Sequence, residues 1–247
     1  MSTATQLILP EACEQYGELW GLENLRDAQR LGDFMFDQFA PFVAGHVVEI
    51  GAGIGTFSER MLASGAQRML LIEPEELCAD RLAQAFANET RVEIARQTVP
   101  GSPALAAWKD TADFVLAQNV VEHIDDDAAA IAGMSEALRP GGRLTVLVPA
   151  HPKLYGGLDE TFGHHRRYTR ERLHGLADAA GLVVDSLYHF NLLGVPGWWA
   201  QSRRRAPRIS SSALRAYEAM LRMWRPIEQR LRLPFGLSLV LHARRPG

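Results

Sequence analysis

Two acids and three glycines are the first residues with chemistry in them. In HVVEIGAGIGTF (46–57), Glu49 stands two residues before Gly51, and Gly53 and Gly55 follow at alternate positions. A glycine loop between a strand and a helix aims backbone N–H groups and the helix dipole at whatever it holds. A dinucleotide pyrophosphate asks for GxGxxG, whose last glycine allows close helix–strand packing. Here Thr56 occupies that last place. A carboxylate at Glu49 sits poorly beside a pyrophosphate and well beside an ammonium, as on a sulfonium cofactor built from an amino acid. Glu73, at the end of the next apolar run, can accept both hydroxyls of a ribose, which serves either cofactor class. The alternative is an ordinary glycine turn, and the two acids at these spacings weigh against it.

Histidines and arginines supply the second set. His123, in NVVEHI after an apolar run, is a candidate base or a wall of the reaction site; equally, Glu122 and His123 could cap the next helix. Further on, His151, Tyr155, Asp159, His164, His165, Arg166, Arg167 and Tyr168 crowd one loop. A histidine near neutral pKa suits proton removal, and an arginine fork suits carboxylate or phosphate. The competing reading is a solvated loop whose charges pair among themselves. No HExxH or Cys/His spacing is present, so no metal is expected. Residues 200–232 carry many arginines, with Leu214, Tyr217, Leu221, Trp224, Ile227 and Leu231 at helical spacing. That amphipathic basic helix reads as a lid, a dimer contact or a surface for anionic lipid, and Trp198 and Trp199 beside it could line an acceptor pocket.

These residues need a frame. The chain has 247 residues, 47% hydrophobic and 22% charged, with a formal net charge of −3. That suits one α/β domain with an added cap and gives no general nucleic-acid surface. Two cysteines, Cys13 and Cys78, lie far apart, and the N-terminus lacks a signal-peptide pattern, so a reducing cytoplasm is expected. Strands are expected at 46–50, 68–73, 91–95, 112–118, 143–149, 182–190 and 236–243. Helices are expected over 11–40, 56–64, 75–88, from the Asp125–Asp127 run to Pro140, and over 169–180. Alternating apolar strands and helices mean a mostly parallel sheet covered on both faces.

VVEIGAGIGTF, LLIEPE, LAQNVVEHI and LRPGGRLTVLVPAHP, in this order, resemble class I S-adenosylmethionine-dependent methyltransferases over about residues 45–190, and the last strand fits as well. YGGLD, GHHRRYT and FNLLGVPGWW resemble a bacterial subgroup of small-molecule or unassigned members. The resemblance implies a Rossmann-like, doubly wound seven-stranded sheet with an antiparallel last strand. It implies S-adenosylmethionine as cofactor, held by Glu49, Gly51, Ala52, Gly53, Gly55, Glu73, Pro74, Thr98, Asn119 and Val120. Arg96-Gln97-Thr98 departs from the family's acid at the end of strand three, so Thr98 or a backbone carbonyl would face the adenine.

The expectation is a helical cap over 1–44, then a methyltransferase domain over 45–247 with a helical insertion at about 195–235. It transfers a methyl group to O or N of a small molecule. His123, His164 and His165 are the candidate catalytic groups, and His151, Tyr155, Arg166, Tyr168 and Trp198 the acceptor wall. RNA or a lipid-linked acceptor is the alternative, and an NAD(P)-dependent oxidoreductase the runner-up from another class. No nucleic-acid partner and no transmembrane segment are expected. Peripheral membrane contact is compatible with the basic helix, and the oligomeric state is left open.

Overall fold

Consecutive apolar residues in a strand point to opposite faces, so a strand with no polar alternation needs cover on both sides. The computed structural model describes residues 22, 25–204, 211–231 and 233–247. Its strands are β1 (Gly45–Ile50), β2 (Ala66–Ile72), β3 (Val92–Ala95), β4 (Ala112–Gln118), β5 (Leu138–Pro149), β6 (Val183–Phe190) and β7 (Ser238–Arg244). They form one sheet in the order β3-β2-β1-β4-β5-β7-β6. The first five are parallel, and β7 slips in antiparallel to both β5 and β6.

The helices among the described residues are α1 (Gln29–Phe36), α2 (Thr56–Ser64), α3 (Glu76–Ala85), α4 (Pro103–Ala107), α5 (Asp127–Ala137), α6 (Gly157–Thr161), α7 (Arg170–Ala179), α8 (Gly194–Ser202) and α9 (Ser211–Glu228). On one face Val47, Phe114, Leu116 and Val240 pack with Phe34, Phe39, Phe57 and Leu221. Val48, Val115 and Leu241 pack on the other with Ile131, Met134, Leu173 and Ala177. Neighbouring residues Val47 and Val48 thus serve different layers.

Side-chain oxygens fix the helix starts: Asp126 accepts from Ala129 N at 2.9 Å, Ser102 from Leu105 N at 3.1 Å, and Thr169 from Arg172 N at 3.2 Å. The expected boundaries shift in two places for a physical reason. The helix opened by the aspartates ends at Ala137, before Pro140, because Leu138 already pairs with Ala112 and β5 begins there. The loop after β5 also carries α6, which its polar composition hides.

The basic helix is a cover on the β1-side core. Leu221 is fully buried, and Arg225 donates through Nε and Nη2 to Asp37 at 2.6 and 2.8 Å. Glu218 accepts from Leu31 N at 2.7 Å, and Glu228 accepts from Asn191 N at 2.5 Å just beyond β6. α9 therefore ties α1 to the end of β6. Met220, Met223 and Ile227 on its outer side are exposed. The helical reading over 11–21, and Arg205, Arg208 and Arg232 of the basic segment, lie outside the described residues.

Candidate active site

In an open parallel sheet the carboxyl ends of the strands face one crevice, where ligands bind. Register sets Ile50 beside Ile72 and Ala117, so Gly51, Glu73 and Gln118 leave their strands at one level. Gly51, Gly53 and Gly55 all adopt positive φ, at 68°, 55° and 84°. A Cβ at Gly51 would stand 2.3 Å from Val120 Cγ2, so the turn after β1 and the turn after β4 close on each other only with glycine there. Val120 and the glycine loop are thereby brought together, as expected.

Both acids sit at this level. Glu73 is buried and accepts from Gly53 N at 2.8 Å through Oε2 and from Glu75 N at 2.9 Å through Oε1. Burial raises its pKa, and the two backbone N–H groups oppose the rise. Glu49 is buried and accepts from Ser58 Oγ at 2.5 Å. Burial pushes its carboxyl up to about 8, although the Ser58 hydrogen bond pulls the other way. A buried acid of this kind regains its charge when a cation is set beside it. The donor set fits a ligand with one ammonium and one ribose. Ala52 is buried in the loop, whereas Thr98 and Asn119 are exposed; Asn119, at φ 53°, directly follows β4. Gln97 faces inward and accepts from Ser102 Oγ and Ala104 N at 2.6 and 3.0 Å. Pro74 is exposed next to Glu73.

Two residues past Val120 lies the second centre. Glu122 is completely buried, and neither carboxylate oxygen has a hydrogen-bond partner. Burial pushes it up to about 8, despite the Arg167 guanidinium nearby. His164 Nε2 stands 4.0 Å from Glu122 Oε1, and His164 Nδ1 is 2.8 Å from Asp159 Oδ1. The ring of His123 meets that of His164 edge-on at 4.9 Å. Burial drops His123 to about 4, so its imidazole is neutral near pH 7. One ligand atom from each of Glu122, His123 and His164 lies within 4.8 Å of the other two. Asp159 also accepts from Arg167 Nε at 2.8 Å and, through Oδ2, from Gly156 N at 3.0 Å. It is thus immobilised, and so is the imidazole it holds. Arg167 is buried with its guanidinium 4.8 Å from the Trp198 ring, and Trp198 Nε1 has no partner.

The structure divides the expected histidines and the expected wall. His123 and His164 converge; His165 turns away to Asp125 at 2.6 Å, its side chain 42% exposed. Arg166 donates to the carbonyls of Ile124 and Asp125 at 2.6 and 3.1 Å, which spends its fork on the turn before α5. Tyr168 is fully buried and donates to Val121 O and Asp127 Oδ2 at 3.1 and 2.9 Å. Both residues thus bond to the turn before α5 and to its first residues, and support the loop from behind. His151 stacks between Phe235 and His189 at 4.0 and 4.7 Å, one step removed from the cluster. Tyr155 stands at the rim, donating to His164 O at 2.8 Å. Beside it, Lys153, Gly156, Trp199 and Ser202 line a cleft between this loop and α8.

Glu122 and Asp159 carry more of the site than the sequence reading gave them. Glu122 is no helix cap, since Asp126 does that work. The only sequence signal for Asp159 was its place five residues before His164.

The chain is similar to known methyltransferases. The family described as "Methyltransferase domain" matches residues 22–187. A ubiquinone biosynthesis O-methyltransferase from a Methylobacterium sp. is 33% identical over 188 residues, covering 71% of this chain and 74% of its own. A protein of the same name from Aeromonas salmonicida is 26% identical over 168 residues, covering 63% and 70%. A Haloferax volcanii chain from a complex with the Trm112 methyltransferase activator superposes with a TM-score of 0.65 at 13% identity, covering 97% of this chain and all of that one. Sheet order, glycine loop and family match remove the oxidoreductase reading, and the chain belongs to the methyltransferase-domain family as a class I enzyme using S-adenosylmethionine.

Proposed function

We propose that the chain methylates a small molecule at a hydroxyl oxygen or an amine nitrogen, with the reacting atom held at Glu122, His123 and His164. The observation that carries this is Glu122: a completely buried carboxylate with both oxygens unpartnered, two residues from the turn that touches the glycine loop. Buried polar groups are nearly always paired, so an orphan of this kind marks a place for a ligand. Glu49 is set to receive the methionine ammonium, Glu73 the ribose hydroxyls, and the positive-φ glycines let the ligand approach the backbone. The cofactor, when bound, supplies an electrophilic methyl carbon whose bond to sulfur breaks as the acceptor's lone pair attacks in line.

The protein's own part is placement and help with a proton. Asp159 holds His164 Nδ1, so Nε2 faces Glu122. The neutral His123 imidazole, His164 Nε2 and the Glu122 carboxyl meet at one point, which gives a hydroxyl a group to take its proton as it leaves. The cleft along Tyr155, Trp199 and Ser202 gives an acceptor its entry. A cytoplasmic setting belongs to the same reading.

The test is formation of S-adenosylhomocysteine with a panel of phenols, aliphatic alcohols and amines, set against RNA and lipid-linked arms. His164→Ala should lower turnover on the preferred acceptor by roughly 10²–10⁴-fold while cofactor affinity is kept. Turnover on RNA alone overturns the small-molecule reading. Full activity in both His164→Ala and Glu122→Gln removes this cluster from the reaction.

A further inference from the structure

We infer that Glu122, His123 and His164 form a divalent-cation site. The binding part rests on the cluster alone; its part in the reaction rests on the acceptor placement proposed above. Two imidazoles and one carboxylate are the donor set of an open zinc site, with a fourth position left for water or substrate. The sequence offers no metal spacing, because Glu122 and His123 leave β4 while His164 comes from the loop beyond β5. Only the fold brings them together, with one ligand atom from each within 4.8 Å of the others.

Three further observations point the same way. Glu122 is buried with two unpartnered oxygens, and no side chain among the described residues bonds to either. The 4.0 Å between Glu122 Oε1 and His164 Nε2 is too long for a hydrogen bond. Donors sharing one zinc at about 2.0–2.1 Å with tetrahedral angles lie about 3.3 Å apart. A cation would thus draw these side chains in by about an ångström, a shift within the reach of side-chain torsions. Third, the outer support is in place. A metal-bound histidine usually gives its other ring nitrogen to a carboxylate or a backbone carbonyl. His164 does so with Asp159 at 2.8 Å, and His123 is bonded to the Gly163 backbone. Asp159, gripped by Arg167 and the Gly156 N–H, is the positioning residue. With the cation seated, His164 would be a ligand, and the ion would lower the pKa of an acceptor hydroxyl bound to it, whose proton passes to solvent, in place of proton removal by a free imidazole.

The full-length protein, stripped with a chelator and dialysed, is titrated with Zn²⁺ by calorimetry and with Co²⁺ by visible absorption, in the absence of any acceptor. One equivalent should bind, and cobalt should give the intense ligand-field bands of low coordination. Glu122→Gln and His164→Ala should each weaken binding by at least about a hundredfold. Asp159→Asn, which removes no ligand, should weaken it by about 10–100-fold. His174→Ala, an exposed histidine elsewhere, should leave it unchanged. Cofactor affinity, measured on each variant, reports whether the fold is kept, and His123→Ala replaces any variant that fails this check. Absence of stoichiometric binding, or equal binding by wild type and His164→Ala, overturns the inference. If methyl transfer nonetheless needs Glu122 and His164, the proposed function stands without the ion.

Discussion

At the scale of single residues, burial decides which acids are ready for a cation. Glu49 has an ordinary value of 4.5 and is carried to about 8 by burial. Its folded pKa lies above its unfolded one, so its contribution to stability is fully present below about 4.5 and is lost as pH rises through about 8. The melting temperature of the cofactor-free protein should therefore fall across this window more steeply than that of Glu49→Gln, which cannot titrate. The same shift predicts that an ammonium arriving beside Glu49 expels a proton. Calorimetric titration with S-adenosylmethionine near neutral pH, in buffers of differing ionisation heat, should show release of up to about one proton, lost in Glu49→Gln. No release in the wild type would take Glu49 away from the ammonium. For Glu73, removal of the carboxylate should weaken cofactor binding by about 1.5–3 kcal/mol, the range for charge-assisted hydrogen bonds. Part of that loss comes through the loop, since Glu73 also holds Gly53 N.

At the scale of elements, the 151–168 loop is tied by side-chain hydrogen bonds to the turn after β4 and to α5. Tyr168 hangs it from the turn after β4 and from the start of α5, through Val121 O and Asp127. Tyr168→Phe should cost about 1–3 kcal/mol in chemical denaturation, the penalty for buried acceptors losing a donor. The acceptor KM should hardly move; a large rise in KM with stability intact would return Tyr168 to the acceptor wall. The α1–α9 clamp is a different case. Asp37 and Arg225 pair bidentately but are 27% and 32% exposed, so solvent screens them. A double-mutant cycle of Asp37→Ala and Arg225→Ala should give a coupling of about 1 kcal/mol or less. Loss of α9 from its seat would uncover Leu221 and Phe34 of the same core, which is why packing rather than this ion pair should dominate.

At the scale of the whole molecule, the crevice is one object assembled from five separate strand ends, so its ligand should stabilise the entire fold. S-adenosylmethionine at a hundred times its Kd should add about 2.7 kcal/mol to unfolding, and NADH should add nothing. A thermal shift with NADH and none with the methyl donor would contradict the assignment of the cofactor. Among the described residues no helix is long and apolar enough to cross a membrane. The exposed stripe of Met220, Met223 and Ile227 on α9 stays apart from the crevice contacts described above.

The sheet was legible because strand patterns are local. Apolar runs such as 112–118 coincide with β4, and the glycines between β1 and α2 marked the tight turn there. Glu49 and Glu73 could be found in the same way, since one lies next to the end of β1 and the other directly follows β2. Helix limits were less legible: pairing of Leu138 with Ala112 overrode the signal of Pro140-Gly141-Gly142. The second centre could not be read at all from spacing. His164 and His165 are neighbours of one type, yet one faces a buried carboxylate and the other solvent. What separates them is the direction in which the chain passes Asp159 and Asp125. Glu122 looked like a cap because its burial depends on a loop some forty residues away. The sequence by itself determined the strand order's raw material, the glycine turn and the two acids beside it. The tertiary structure alone decided which histidine, which arginine and which carboxylate meet, because those contacts join strand ends that only the closed sheet brings side by side.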